Sequence, residues 1–162
     1  MSWTKTSGAL KFLLVMLVLL GAGSFAHAGK KHGATPFKYD GGTEKIPKSC
    51  EGFVEVGTSA LTFKYTDGSV SVPYSSIKLM QYRPDISRKI RKMKIKWEVT
   101  PDTVLPIVGG HRNKYFAIVY EEQGVTRAIV LDVPPQTMRP YLAEIDVKAG
   151  KRVEVMETEE YD

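Results

Sequence analysis

Leu61-Thr62-Phe63-Lys64-Tyr65-Thr66-Asp67-Gly68-Ser69-Val70-Ser71-Val72-Pro73-Tyr74 is the stretch that decides the fold. Leu61, Phe63 and Tyr65 alternate with Thr62, Lys64 and Thr66. After Asp67-Gly68, Val70, Val72 and Tyr74 alternate with Ser69, Ser71 and Pro73. A period of two puts successive side chains on opposite faces of a strand, so each run offers one face to a core. Asp-Gly between two such runs is a strong hairpin signal, with the glycine expected at positive φ.

Outward from this hairpin the pattern repeats. Residues 53–56 predict a short strand. Residues 77–82 predict another, with a bulge where the alternation breaks at Leu79-Met80. Met93, Ile95, Trp97 and Val99 alternate with Lys92, Lys94, Lys96 and Glu98, which predicts a strand carrying lysines on one face. Residues 115–121 and 126–133 flank Gln123-Gly124 and predict a second hairpin. It is apolar at nearly every position and therefore central. Residues 104–108 (Val-Leu-Pro-Ile-Val) read as an edge strand, or as an apolar loop for shallow membrane insertion; Pro106 fits either.

Met138, Tyr141, Leu142, Ile145 and Ala149 fall on one helical face. Thr137 is the expected cap, Pro140 is expected in the first turn, and Gly150 follows the end. Val153 and Val155 suggest a short closing strand. The expected fold is mainly β: a small antiparallel sandwich or barrel of about seven strands. One C-terminal α-helix caps its open end.

On these residues the chain resembles a family. Residues 52–77, with Leu61-Thr62-Phe63 and Val72-Pro73-Tyr74-Ser75-Ser76-Ile77, resemble the first half of a GRAM-like or bacterial pleckstrin-homology-like (PH-like) domain. Residues 111–153 resemble the second half, as found in small exported bacterial proteins of unknown function. The motifs there are Tyr115-Phe116-Ala117-Ile118, Val130-Leu131-Asp132-Val133 and Ala149-Gly150-Lys151-Arg152-Val153. The likeness covers residues 50–155 and implies a PH-like domain, a class that binds membranes or peptides. Its motifs mark strand ends and a helix stop, so no functional residue carries over.

The N-terminus speaks for compartment. Lys5 and Lys11 precede the unbroken apolar run 12–20, small residues follow, and Ala26-His27-Ala28 ends the segment. That order is a secretory signal peptide, cleaved after Ala28; the alternative is an uncleaved anchor helix. Residues 29–49, rich in Gly, Lys, Pro and Thr, read as a flexible leader, and 156–162 as an acidic tail. The expected location is the periplasm or the exterior of a bacterium. Asn113 is the only Asn and heads no glycosylation sequon, which fits. Cys50 is the only cysteine, so no intrachain disulfide forms; it reads as a small core hydrophobe.

Chemistry is sparse. His32 and His111 have no second ligand at metal spacing, so no metal site or other cofactor is expected. Ser75-Ser76 has no glycine elbow and should bond local backbone. Glu121-Glu122 sits at a hairpin tip, solvated. Gly41-Gly42 and Gly109-Gly110 are too isolated to cradle phosphate. The reading is therefore non-enzymatic, with no catalytic residue.

One charge feature is dense. Arg83, Arg88, Lys89, Arg91, Lys92, Lys94 and Lys96 stand against Asp85 alone, +6 within residues 83–96. The chain without residues 1–28 carries 21 basic and 18 acidic residues, only +3, so nucleic acid is not an expected partner. The seven cations form the candidate anion-binding site, pictured as a basic hairpin with Arg88, Lys89 and Arg91 at its tip. Its partner would be an anionic lipid surface or an acidic envelope protein. The competing reading makes the lysines an edge-strand guard or a solubility device. A small-molecule carrier fits less well, given short strands and a plugging helix.

Overall fold

The computed structural model describes residues 35–102 and 114–156. Segment 1–28, Lys30, Lys31, His32, residues 104–108, Gly109-Gly110, His111 and the acidic residues 157–162 lie outside the described residues.

The described chain is mainly β with one long helix. The strands are β1 (Phe37–Gly42), β2 (Glu51–Val56), β3 (Ala60–Tyr65), β4 (Gly68–Pro73), β5 (Ile77–Arg83), β6 (Tyr115–Glu122), β7 (Val125–Asp132) and β8 (Glu154–Val155). A one-turn helix, α1 (Arg88–Arg91), follows β5, and α2 (Pro135–Ala149) follows β7. The strands form one mixed sheet in the order β4-β3-β2-β1-β7-β6-β5-β8. Every pairing is antiparallel except β5 with β8.

Alternation decides the inner face. Val54 and Val56 of β2, Leu61 and Phe63 of β3, and Val72 of β4 share one buried cluster with Ile77, Met80, Tyr82, Phe116, Ile118, Ile129 and Leu131 from the other half. The two halves of the sheet therefore fold over a common core. Met138 and Ile145 of α2 are fully buried in that core. Tyr141 packs edge-on against Phe37, with ring centroids 5.2 Å apart.

The second hairpin is central, as its uniform apolarity predicts, because both faces are covered. Tyr115, Ala117 and Val119 of β6 and Ala128 and Val130 of β7 point away from the common core. They pack with Leu79 against Ile86, Ile90 and Ile95. The β6–β7 turn has both Gln123 and Gly124 at positive φ (51° and 75°), the geometry of a tight two-residue hairpin. The expected bulge in β5 lies between Ile77 and Leu79.

Several expectations need correction. The supposed leader contains β1, which sits between β2 and β7 in the middle of the sheet. Its composition misled because Gly41 takes a place where bulk does not fit: a Cβ there would lie 2.5 Å from the Val99 carbonyl oxygen. Residues 92–99 form no strand. They run as irregular chain after α1, with one bridge from Val99 to Gly42. In the first hairpin Thr66 and Asp67 make the turn, while Gly68 pairs with Tyr65 and has no positive φ. The α2 cap position falls on Pro134 rather than Thr137, which is buried inside the helix. Pro140 lies in the second turn, where its missing N–H removes the helix hydrogen bond that would reach the Gln136 carbonyl. Cys50 is half-buried against the core.

Burial within α2 separates two residues that the helical periodicity treats alike. Met138 is enclosed, whereas Leu142 is only partly covered. Met138→Ala should cost about 2–5 kcal/mol by urea unfolding, and Leu142→Ala clearly less. Equal losses would show that the helix sits deeper on its C-terminal side than described.

Candidate functional site

The seven candidate cations are spread over the end of β5, α1 and the chain after it. The covered sheet face explains the path. Ile86, Ile90 and Ile95 are buried on it, with Met93 and Trp97 half-buried beside them. Apolar residues at 86, 90, 93, 95 and 97 hold the segment down, and the intervening cations face solvent. Ser87 caps α1, its Oγ accepting the Ile90 N–H at 3.4 Å. At the far end Glu98 and Val99 donate to the Gly42 carbonyl at 3.0 and 3.1 Å, and Gly42 donates back to Val99 at 2.9 Å. Buried Asp40 accepts the Asp102 N–H at 3.1 Å.

The cations divide into two groups. Arg83 Nη2 lies 3.5 Å from Asp85 Oδ1. Lys89 Nζ donates to Glu154 Oε1 at 2.8 Å, while Gln81 Nε2 donates to Glu154 Oε2 at 2.6 Å. The bond from Lys89, followed by that from Gln81, lowers the Glu154 carboxyl below its ordinary value. Its hold on β8 is therefore complete above the ordinary carboxylate range and fades as pH falls through the lowered value. Arg91 Nε donates to the Ile86 carbonyl at 3.0 Å. These three cations fasten the fold. Arg88, Lys92, Lys94 and Lys96 are exposed, and no carboxylate among the described residues lies within 4.0 Å of them.

Lys94 has φ 51°, in the left-handed region that glycine or asparagine normally fills past a helix end. Its side chain is exposed, so packing does not demand it.

The other candidates take simple places. Ser76 Oγ donates to the Pro73 carbonyl at 2.9 Å, in a 3-10 turn before β5. Glu121 pairs with Lys78 at 3.0 Å and Glu122 with Arg127 at 2.8 Å, both near the surface. Gly41-Gly42 belongs to β1. Among the described residues no group of three or more His, Cys, Asp or Glu stands together as a metal site.

One cluster escaped the sequence reading. Glu44 Oε1 accepts from Tyr120 Oη at 2.9 Å and from Arg127 Nη1 at 3.1 Å, and the Glu44 carbonyl accepts from Tyr39 Oη at 2.9 Å. Burial, then the bond to Glu44, raises the Tyr120 phenol; burial also raises the Tyr39 phenol. Two neutral phenols and a paired carboxylate make a structural tie between the β1–β2 connection and the β6–β7 hairpin. No periodic signal surrounds Glu44, so only tertiary contact reveals it. No protein-family model and no curated protein matches this chain.

The backbone at Lys94 yields a direct test. Lys94→Gly should leave stability unchanged or raise it by up to about 1 kcal/mol, because glycine adopts positive φ without the Cβ penalty. Thermal unfolding measures it. A loss above about 1 kcal/mol would mean that the lysine side chain supports the fold.

Proposed function

We propose that this chain is an exported, non-enzymatic binding module of PH-like type. It holds an anionic membrane surface through Arg88, Lys92, Lys94 and Lys96. The observation that carries the reading is the set of four exposed cations without carboxylate neighbours among the described residues, on a segment clamped from beneath by Ile86, Ile90 and Ile95. The clamp supports this reading because it fixes the positions of the charges without using them. The edge-guard alternative loses its footing, since these lysines line no edge strand. Charge at an exposed lysine in a left-handed backbone position also argues for use beyond packing.

Magnitudes suit a weak, reversible contact. Each Lys or Arg near an anionic bilayer contributes about 1 kcal/mol, so four supply about 4 kcal/mol. That corresponds to dissociation constants of about 1 mM in accessible lipid.

The test is flotation of the purified protein with vesicles of mixed phosphatidylglycerol and phosphatidylcholine, against phosphatidylcholine alone. Binding should require the acidic lipid and fade as the screening length falls from about 10 Å at 0.1 M salt to about 3 Å at 1 M. Replacing Arg88, Lys92, Lys94 and Lys96 by Gln should abolish it and move stability by no more than about 0.5 kcal/mol per site. Equal flotation with both vesicles would refute the electrostatic reading. No flotation, with capture of an acidic envelope protein that the Gln variant loses, would favour the protein-partner alternative.

Export is tested separately. The mass of the protein recovered from the cell envelope should correspond to a chain starting at Gly29, as the Ala26-His27-Ala28 ending implies. A mass that keeps residues 1–28 would favour the anchor.

A further inference from the structure

The two edges of the sheet are finished differently. β8 at one end is two residues long, and its Glu154 is held by Lys89 and Gln81. A short strand with a charged side chain is a guarded edge. β4 at the other end is six residues long, Gly68-Ser69-Val70-Ser71-Val72-Pro73, with no charged side chain. It pairs with β3 at all six positions without a bulge, and Ser71 Oγ lies 3.0 Å from Thr62 Oγ1 across that ladder.

One bond sets the phase of the ladder. The Tyr74 N–H donates to the Ser59 carbonyl at 2.9 Å. Bonded and non-bonded positions alternate in an antiparallel pair, so Gly68, Val70 and Val72 bond to β3. Ser69, Ser71 and Pro73 turn their main-chain groups outward. Pro73 has no N–H, and its carbonyl accepts from Ser76 Oγ at 2.9 Å, so the edge is closed there. Ser69 and Ser71 remain exposed, with two N–H and two C=O groups that meet no partner among the described residues.

This short edge is complementary to itself. A second β4 laid antiparallel, with Ser69 of each copy opposite Ser71 of the other, makes four bonds and uses all four groups of each strand. The twofold axis then passes at Val70, whose half-buried side chain meets its own copy in a non-bonded pair, where side chains approach most closely. Val72 of each copy faces Gly68 of the other, so nothing bulky stands in its way. Charge does not oppose the contact, since on the strands behind β4 Lys64 is paired with Glu55 and Lys38 with Glu51. We propose that the β4 edge is a dimerisation surface whose partner is a second copy of this chain, joined β4 to β4. Six residues a side is far below the number in a standard interface, so the dimer is weak, forming at about 0.1–1 mM.

Sedimentation equilibrium of the purified protein from about 10 μM to about 1 mM should show monomer and dimer in exchange. Ser71→Pro removes an outward N–H and no bond to β3, and should weaken the dimer about tenfold or more. Two further variants carry Ser69→Lys with Ser71→Lys, and Ser69→Glu with Ser71→Glu. Each sets like charges opposite one another and should be monomeric, whereas their equimolar mixture should dimerise at least as well as the parent chain. Recovery in the mixture shows that both variants fold. A mixture that stays monomeric would overturn the β4-to-β4 contact. A dimer that ignores these substitutions would place the contact elsewhere and overturn it too. So would a parent chain that stays monomeric throughout, whether hydrogen exchange finds the Ser69 and Ser71 amides open to solvent or protected by its own residues.

Discussion

The rest of the structure depends on one constraint: the sheet has a second apolar face that must be covered. Val119, Ala128 and Val130 lie on it and are fully buried, although they point away from the core shared with α2. Left in water, a row of this kind invites association. The chain covers it with Ile86, Ile90 and Ile95, each of whose burial is worth about 1.5–3 kcal/mol. That requirement sends the chain across the sheet after β5, and it sets where every cation of the segment can stand.

The strands were readable wherever one face met water. β2, β3 and β4 alternate cleanly because their outer side chains, such as Glu55, Thr62 and Ser71, remain in contact with solvent. β6 and β7 were readable for the opposite reason, as continuous apolar runs closed by Gln123-Gly124. β1 hid because its ladder is built where side chains are excluded. Only Phe37 and Tyr39 give it an apolar signature, and Gly41 is small so that residues 99–101 can pass. A strand that owes its place to close backbone approach leaves little in the sequence beyond glycine, which reads equally well as a loop.

The cationic segment failed differently. Residues 92–99 alternate as a strand should, and the alternation does report burial: Ile95 is buried, Met93 and Trp97 are half-buried, and the lysines are exposed. What it does not report is pairing. Period two arises in any extended chain laid flat on an apolar surface, whether or not a neighbouring strand accepts its hydrogen bonds. The positive φ at Lys94 breaks the extended path that a ladder needs. Composition located the seven cations, but only the fold divides Lys89 and Arg91, which hold Glu154 and the Ile86 carbonyl, from those that hold nothing described. Glu44 lies at the far extreme, since its partners Tyr120 and Arg127 are more than seventy residues away in sequence.

This division explains how so much like charge is tolerated. A net +6 over residues 83–96 repels itself, and a free peptide of that composition would extend. Here the repulsion acts between side chains at solvent-exposed tips, where a high dielectric and salt reduce each pair to a small fraction of its value in a dry interior. The opposing term is apolar burial beneath, which salt does not screen. Because the two terms act on alternate residues of one segment, they are separable. Ile86, Ile90 and Ile95 hold the chain, while Arg88, Lys92, Lys94 and Lys96 set its field. Charge on this face can therefore vary widely without disturbing the sheet, so long as the three isoleucines remain.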